Sequence, residues 1–146
     1  MENTNLQNKK LNNIKLDFKD SKYATGKRKN AIARIWLKKG SGKIYVNGKF
    51  FNEYFADETH KMQITRPFEI INQATDYDVR CSVKGGGPTG QAGAMVHGIS
   101  KALVLFDENL KATLKTEKLT TRDSRAVERK KPGRRKARRS FQFSKR

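Results

Sequence analysis

The sequence predicts an α/β (α+β) domain of two layers, about four strands packed by helices, followed by an extended basic tail. Three observations carry this. Residues 31–38 and 77–84 alternate apolar and polar side chains, the period of half-buried strands. Residues 92–106 repeat apolar side chains every three or four positions, the period of one helix face. From Arg122 the composition turns abruptly cationic. At 146 residues, one domain with tails is expected: a flexible extension over 1–22, a globular domain over 23–121 and a tail over 122–146.

The extension, MENTNLQNKKLNNIKLDFKD, is rich in Asn and Lys. It lacks an apolar stretch of secretory type, and its acids and missing Arg make a poor organelle transit peptide. Tyr23–Gly26 opens the folded part, followed at once by Lys27-Arg28-Lys29. In AIARIWLKK, Ala31, Ala33, Ile35 and Leu37 form the better core face. Trp36 then lies on the opposite face, where a helix, a partner or RNA could cover it. Gly40-Ser41-Gly42 is a turn, and Lys43–Val46 a second strand with Ile44 and Val46 inward and Lys43 and Tyr45 outward. Asn47-Gly48 is a strong turn pair because both residues tolerate positive φ. Lys49–Phe51 adds a short strand, and Asn52–Phe55 a helical turn whose Tyr54 and Phe55 cap the core.

Pro67 fits the first turn of a helix, with Phe68, Ile71 and Ala74 at helical spacing. Tyr77, Val79, Cys81 and Val83 mark the clearest strand, with Cys81 as a buried small hydrophobe. A glycine turn leads into a helix whose apolar face is Ala92, Val96, Ile99, Leu103 and Phe106. Gly93, Gly98 and Ala102 keep that helix slim, so another backbone can come close. Asp107–Lys118 reads as a second, shorter helix carrying Leu110 and Leu114.

Charge narrows the function. Thirty-three Lys and Arg against 14 Asp and Glu give +19, which calls for a polyanionic partner, nucleic acid being the commonest. No apolar run approaches the roughly 18–20 residues of a membrane-spanning helix. One cysteine excludes an internal disulfide, and no cysteine–histidine cluster suggests zinc.

The glycine turn tests the enzyme alternatives. Gly85, Gly87 and Gly90 satisfy G-x-G-x-x-G between a strand and a helix. A dinucleotide fold also needs a second parallel strand after that helix, and the polar DENLKATLKTEK is no such strand. A nucleoside-triphosphate loop needs Lys and Ser or Thr where Gln91 and Ala92 stand. His60 and His97 have no nucleophile in a convincing setting. No catalytic residue, cofactor, metal or small-molecule substrate is expected. What remains is a turn whose amides can approach a backbone phosphate beside Lys84 and Lys101, or whose glycines serve close packing; the two are compatible.

Residues 122–146 hold 12 Lys or Arg and two acids, over half of the net charge, and eight of the eleven residues in Arg129–Arg139 are cationic. Without a counter-charge no compact structure is expected there. Such a tail binds phosphates without a fold of its own, with a steep salt dependence. Phe141 and Phe143 could stack on bases. A nuclear-import signal and a nonspecifically sticky tail are the bland alternatives.

Three stretches together resemble the bacterial and organellar form of small ribosomal subunit protein nine. They are YATGKRKNAIARIW, the set Gly85-Gly86-Gly87 with Gly90-Gln91, Ala94, Gly98 and Lys101, and TRDSRAVERKKPGRRKARRSFQFSKR. The resemblance runs from about Tyr23 to Arg146 and leaves the first 22 or so residues outside it. It implies a mostly antiparallel sheet with a left-handed β-α-β crossover. It also implies a place in the head of the small subunit of a cytoplasmic or organellar ribosome, the cytoplasmic one being expected here. The partners would be the 3′ major domain of the rRNA, neighbouring head proteins and peptidyl-site tRNA.

The expected rRNA-binding residues are Lys27, Arg28, Lys29, Lys84, Gly85, Gly86, Gly87, Gln91 and Lys101 on the domain. On the tail they are Arg122, Arg125, Arg129, Lys130, Lys131, Arg134, Arg135, Lys136, Arg138 and Arg139. By the same resemblance Ser144, Lys145 and Arg146 would approach the tRNA anticodon stem-loop. A free nucleic-acid chaperone with a sticky tail is the alternative function.

Overall fold

The computed structural model describes residues 19–73 and 75–144. Five strands form one sheet: β1 (Lys22–Arg28), β2 (Ala31–Lys39), β3 (Ile44–Val46), β4 (Lys49–Phe50) and β5 (Tyr77–Lys84). Among the described residues, four helices accompany them: α1 (Phe51–Tyr54), α2 (Glu58–Ile70), α3 (Pro88–Phe106) and α4 (Leu110–Thr116). The strand order is β1-β2-β5-β3-β4, with every neighbouring pair antiparallel except β3 and β5. The α+β class and the mostly antiparallel sheet agree with the sequence reading. The sheet has five strands rather than about four, because Tyr23–Gly26 is the middle of β1 and not merely a lead-in.

The alternation in β2 and β5 acts as expected. Ala31, Ala33, Ile35 and Leu37 from β2 and Val79, Cys81 and Val83 from β5 are buried on the inner face. Ala94, Met95, Ile99, Ala102 and Leu103 of α3 meet them, with Ile64 and Phe68 of α2 and Leu114 of α4 completing the core. Each such Ile or Leu contributes about 1.5–3 kcal/mol by leaving water. The buried face of α3 is wider than one stripe, since the sheet and α2 cover it from two sides: Met95 is fully buried, whereas Val96 and Phe106 are half-buried.

Several details differ from the sequence reading. Tyr45 lies on the outer face as expected, opposite Arg80, yet it is buried there, its ring 4.6 Å from that of Phe50 on the paired strand. Phe51 begins α1 instead of ending β4. The helix assigned to Pro67 begins nine residues earlier, at Glu58, and ends at Ile70. Asp57 caps it by accepting from the Thr59 amide at 2.9 Å, a cap worth about 1 kcal/mol. Pro67 therefore sits in its last turn rather than its first. Ala74 lies outside the described residues.

Asp78 fixes the β2–β3 connection. Its Oδ1 accepts from the amides of Ser41 and Lys43, both at 2.9 Å. The carboxylate packs so closely over Gly40 that a side chain there would overlap it.

Candidate nucleic-acid interface

One end of the sheet gathers much of the expected cationic surface. The β1–β2 connection is the two residues Lys29 and Asn30, with Lys29 at φ 50°. The glycine turn after β5 packs directly on it. A Cβ on Gly85 would stand 2.6 Å from the Asn30 carbonyl oxygen, and one on Gly86 3.0 Å from the Ala31 Cβ. Both glycines also adopt positive φ, 73° and 66°, which side chains resist. Gly87 differs: it faces open space and precedes α3 with no side-chain cap and no acid in the first turn. The α3 entrance is thus locally electropositive.

Gln91 is engaged within the protein. Its Nε2 donates to the Gly85 carbonyl at 3.2 Å, and its Oε1 accepts from the Tyr54 hydroxyl at 3.0 Å. It braces the turn rather than presenting a free amide outward.

Arg28 is the next link. Its side chain lies over Gly93 of α3, where a Cβ would stand 2.7 Å from Nη1. Its Nη2 is 3.6 Å from Asp123 Oδ2, and its buried Nε has no hydrogen-bond partner. Asp123 also receives the Arg125 guanidinium at 2.9 Å and the Arg125 amide at 3.1 Å. These bonds from Arg125, followed by the charge of Arg28, hold the Asp123 carboxyl far below the usual carboxylate range. The root of the tail is therefore clasped to the β1–β2 end. Arg28, Lys29, Asp123 and Arg125 line one cleft of about 360 Å³ there. A second, of about 420 Å³, continues along Lys27, Arg66, His97 and Lys118.

Two α3 side chains cap the free edge of β1. His97 Nδ1 accepts from the Lys27 amide at 3.2 Å, and Lys101 Nζ donates to the Thr25 carbonyl at 3.2 Å. These satisfy edge groups that would otherwise invite another strand. Burial, with Lys101 nearby, depresses the His97 pKa. Lys101 consequently stands apart from the glycine turn, on the edge of the sheet. Lys84 is exposed at the end of β5.

Among the described residues, 117–144 form no helix or strand. The tail is nevertheless not featureless. Glu128 supplies a counter-charge, pairing with Lys131 at 2.7 Å and Arg138 at 2.9 Å. Arg134 Nη1 donates to the Arg138 carbonyl at 2.7 Å, and Gly133 turns the chain at φ 72°. Arg129, Lys130, Arg135, Lys136 and Arg139 are exposed around this loop, as is Arg122 at the root. The Arg135 guanidinium lies 5.8 Å from the Phe141 ring centroid. Ser144 is exposed; Lys145 and Arg146 lie outside the described residues.

Sequence reading missed Arg66, His97 and Lys118 as neighbours of this surface. They come from α2, α3 and the turn after α4, which no local motif connects. It also left Arg34 and Arg80 unassigned, although strand alternation places both beside Trp36 on the outer face.

A small α+β domain with a cationic sheet end and a long cationic arm is built as an RNA-binding component of a ribonucleoprotein. The chain matches the family model described as Ribosomal protein S9/S16 over residues 26–146 and belongs to that family. It is accordingly a structural protein of the small ribosomal subunit, an rRNA-binding part of the translation machinery. Ribosomal protein families are generally not enzymes. Among the described residues, no helix is long and apolar enough to cross a membrane.

Proposed function

We propose that the protein sits in the head of the small subunit and holds the 3′ major domain of its rRNA. The observation that carries this reading is the clasp of Arg28, Asp123 and Arg125, which launches the cationic tail beside the glycine turn. Domain and tail then present one continuous surface to a phosphate backbone. Lys27, Lys29 and Lys84 neutralise phosphates on the domain, and the open Gly87 and α3 entrance admit one closely. Gly85, Gly86 and Gln91 support that turn by packing, and Arg28 orients the tail. The arginines and lysines from Arg129 to Arg139 carry the largest share of phosphate contact, releasing about one counterion each. Neighbouring head proteins share the site.

The last residues, Ser144, Lys145 and Arg146, approach the anticodon stem-loop of peptidyl-site tRNA. The ribosome concerned is the cytoplasmic one. Deleting Lys145–Arg146 should weaken peptidyl-site tRNA binding while subunits still assemble. Unchanged tRNA affinity in the truncated subunits would remove the tRNA role and leave the rRNA role standing.

A further inference from the structure

The outer face of the sheet, away from α3, carries a second cluster. Tyr23, Trp36 and Arg80 stand in one row across β1, β2 and β5. The Tyr23 and Trp36 rings are 5.3 Å apart. The Arg34 guanidinium lies 5.2 Å from the Trp36 centroid and 5.9 Å from that of Tyr23, and Arg80 lies 5.6 Å from Trp36. Arg34 Nε also donates to the Tyr23 hydroxyl at 3.3 Å. The cluster is reached from solvent: Tyr23 is 45% exposed, both arginines are exposed, and Trp36 between them is half-buried.

We infer that this face is a stacking platform for unpaired RNA bases, separate from the phosphate-binding end of the sheet. The inference rests on the reading of the chain as an RNA-binding protein. Rings and guanidinium planes held side by side offer flat, polarisable surfaces to bases, which a cluster built only for phosphates would not need. Neighbouring strands are about 4.8 Å apart, so the three-strand row spans about 10 Å, room for two bases. Charge selects nucleic acid over a protein partner. The outward positions of β1, β2 and β5 carry Lys27, Arg34, Lys38, Arg80 and Lys84 against one acid. That acid, Asp78, already accepts the Ser41 and Lys43 amides. Stacking further selects single strands, because a duplex hides its base faces.

Trp36 is the chain's one tryptophan, so its fluorescence reports on this face alone. The full-length protein is titrated with an unstructured RNA of about twelve nucleotides, and with the same strand annealed to its complement. Anisotropy of a dye on the RNA reports total binding. Both RNAs should bind, and only the single strand should quench Trp36. Tyr23→Ala and Arg34→Ala remove exposed groups; each should weaken single-strand binding about fivefold or more and change duplex binding less than twofold. Circular dichroism checks that both variants remain folded. If both RNAs bind and Trp36 stays unchanged, or is quenched equally by both, the platform is refuted while the RNA-binding reading survives. If neither RNA binds, both fall.

Discussion

Gly26 of β1 and Gly98 of α3 meet backbone to backbone. A Cβ on Gly26 would overlap the Gly98 amide nitrogen and the Ala94 carbonyl oxygen, and would stand 2.8 Å from the Gly98 Cα. The two small residues let a strand and a helix approach more closely than side chains permit, and this seats α3 against the sheet edge. A Cβ on Gly98 would in turn stand 2.6 Å from Ile35 Cγ1, in the centre of the core.

Gly26→Ala should therefore cost about 3 kcal/mol, the upper end of overpacking, because the obstacles are backbone atoms that cannot rotate away. Denaturant unfolding measures this. Gly87→Ala is the milder comparison: nothing lies within 4 Å of its Cβ, so only its place at the α3 N-cap is felt and stability should fall by less than about 1 kcal/mol.

Asp123→Asn should release the root of the tail without unfolding the domain. The Arg28 and Arg125 pairs are partly exposed, and solvent and salt screen such pairs, so the melting temperature should hardly move. Amide exchange over residues 121–127 should quicken. The native Asp123 carboxyl is held below its unfolded value, so the clasp is complete above about pH 4 and loosens only in stronger acid. Exchange that is unaltered by the substitution would show that the clasp does not order the tail.

His97 gives the fold a pH dependence of known sign. Its folded pKa is depressed by burial and then by Lys101, so the unfolded chain binds the proton more readily. Stability is complete above the unfolded value of about 6.5 and falls as pH drops below it. Protonation would also remove the acceptor for the Lys27 amide. Thermal unfolding at about pH 7 and about pH 5 should show a larger loss in the native chain than in His97→Gln. His60 is common to both proteins and cancels. Equal losses would mean that His97 titrates normally.

Most of the core was legible because β2, β5 and α3 carry unbroken periods of two or of three to four. β1 was not, for two reasons. Gly26 interrupts its alternation, and the hairpin to β2 turns at Lys29 rather than at an Asn-Gly pair. Gly26 did carry a signal, since a glycine inside a strand often marks a close backbone approach. The first half of α2 was hidden because Ile64, Pro67 and Phe68 are its only buried residues and, apart from the exposed Met62 and the half-buried Ile70, the rest of its surface is polar. Asp57 followed by Glu58 was the available sign of its start.

The candidate interface was legible as charge and not as geometry. Composition identified the tail, but nothing local pairs Arg28 with Asp123, 95 positions apart, or seats His97 on the β1 edge. The same holds for Gln91, which lies in the glycine motif yet braces Tyr54.

The most direct test of the account is sedimentation of small subunits assembled with this protein and washed in high salt. Four tail arginines, Arg134, Arg135, Arg138 and Arg139, are changed to Glu in a second preparation. The account predicts that the native chain stays with the subunits and that the charge-reversed chain fails to incorporate or washes off. Equal retention of the two would contradict the tail as an rRNA anchor, and loss of the native chain as well would contradict a structural place in the subunit.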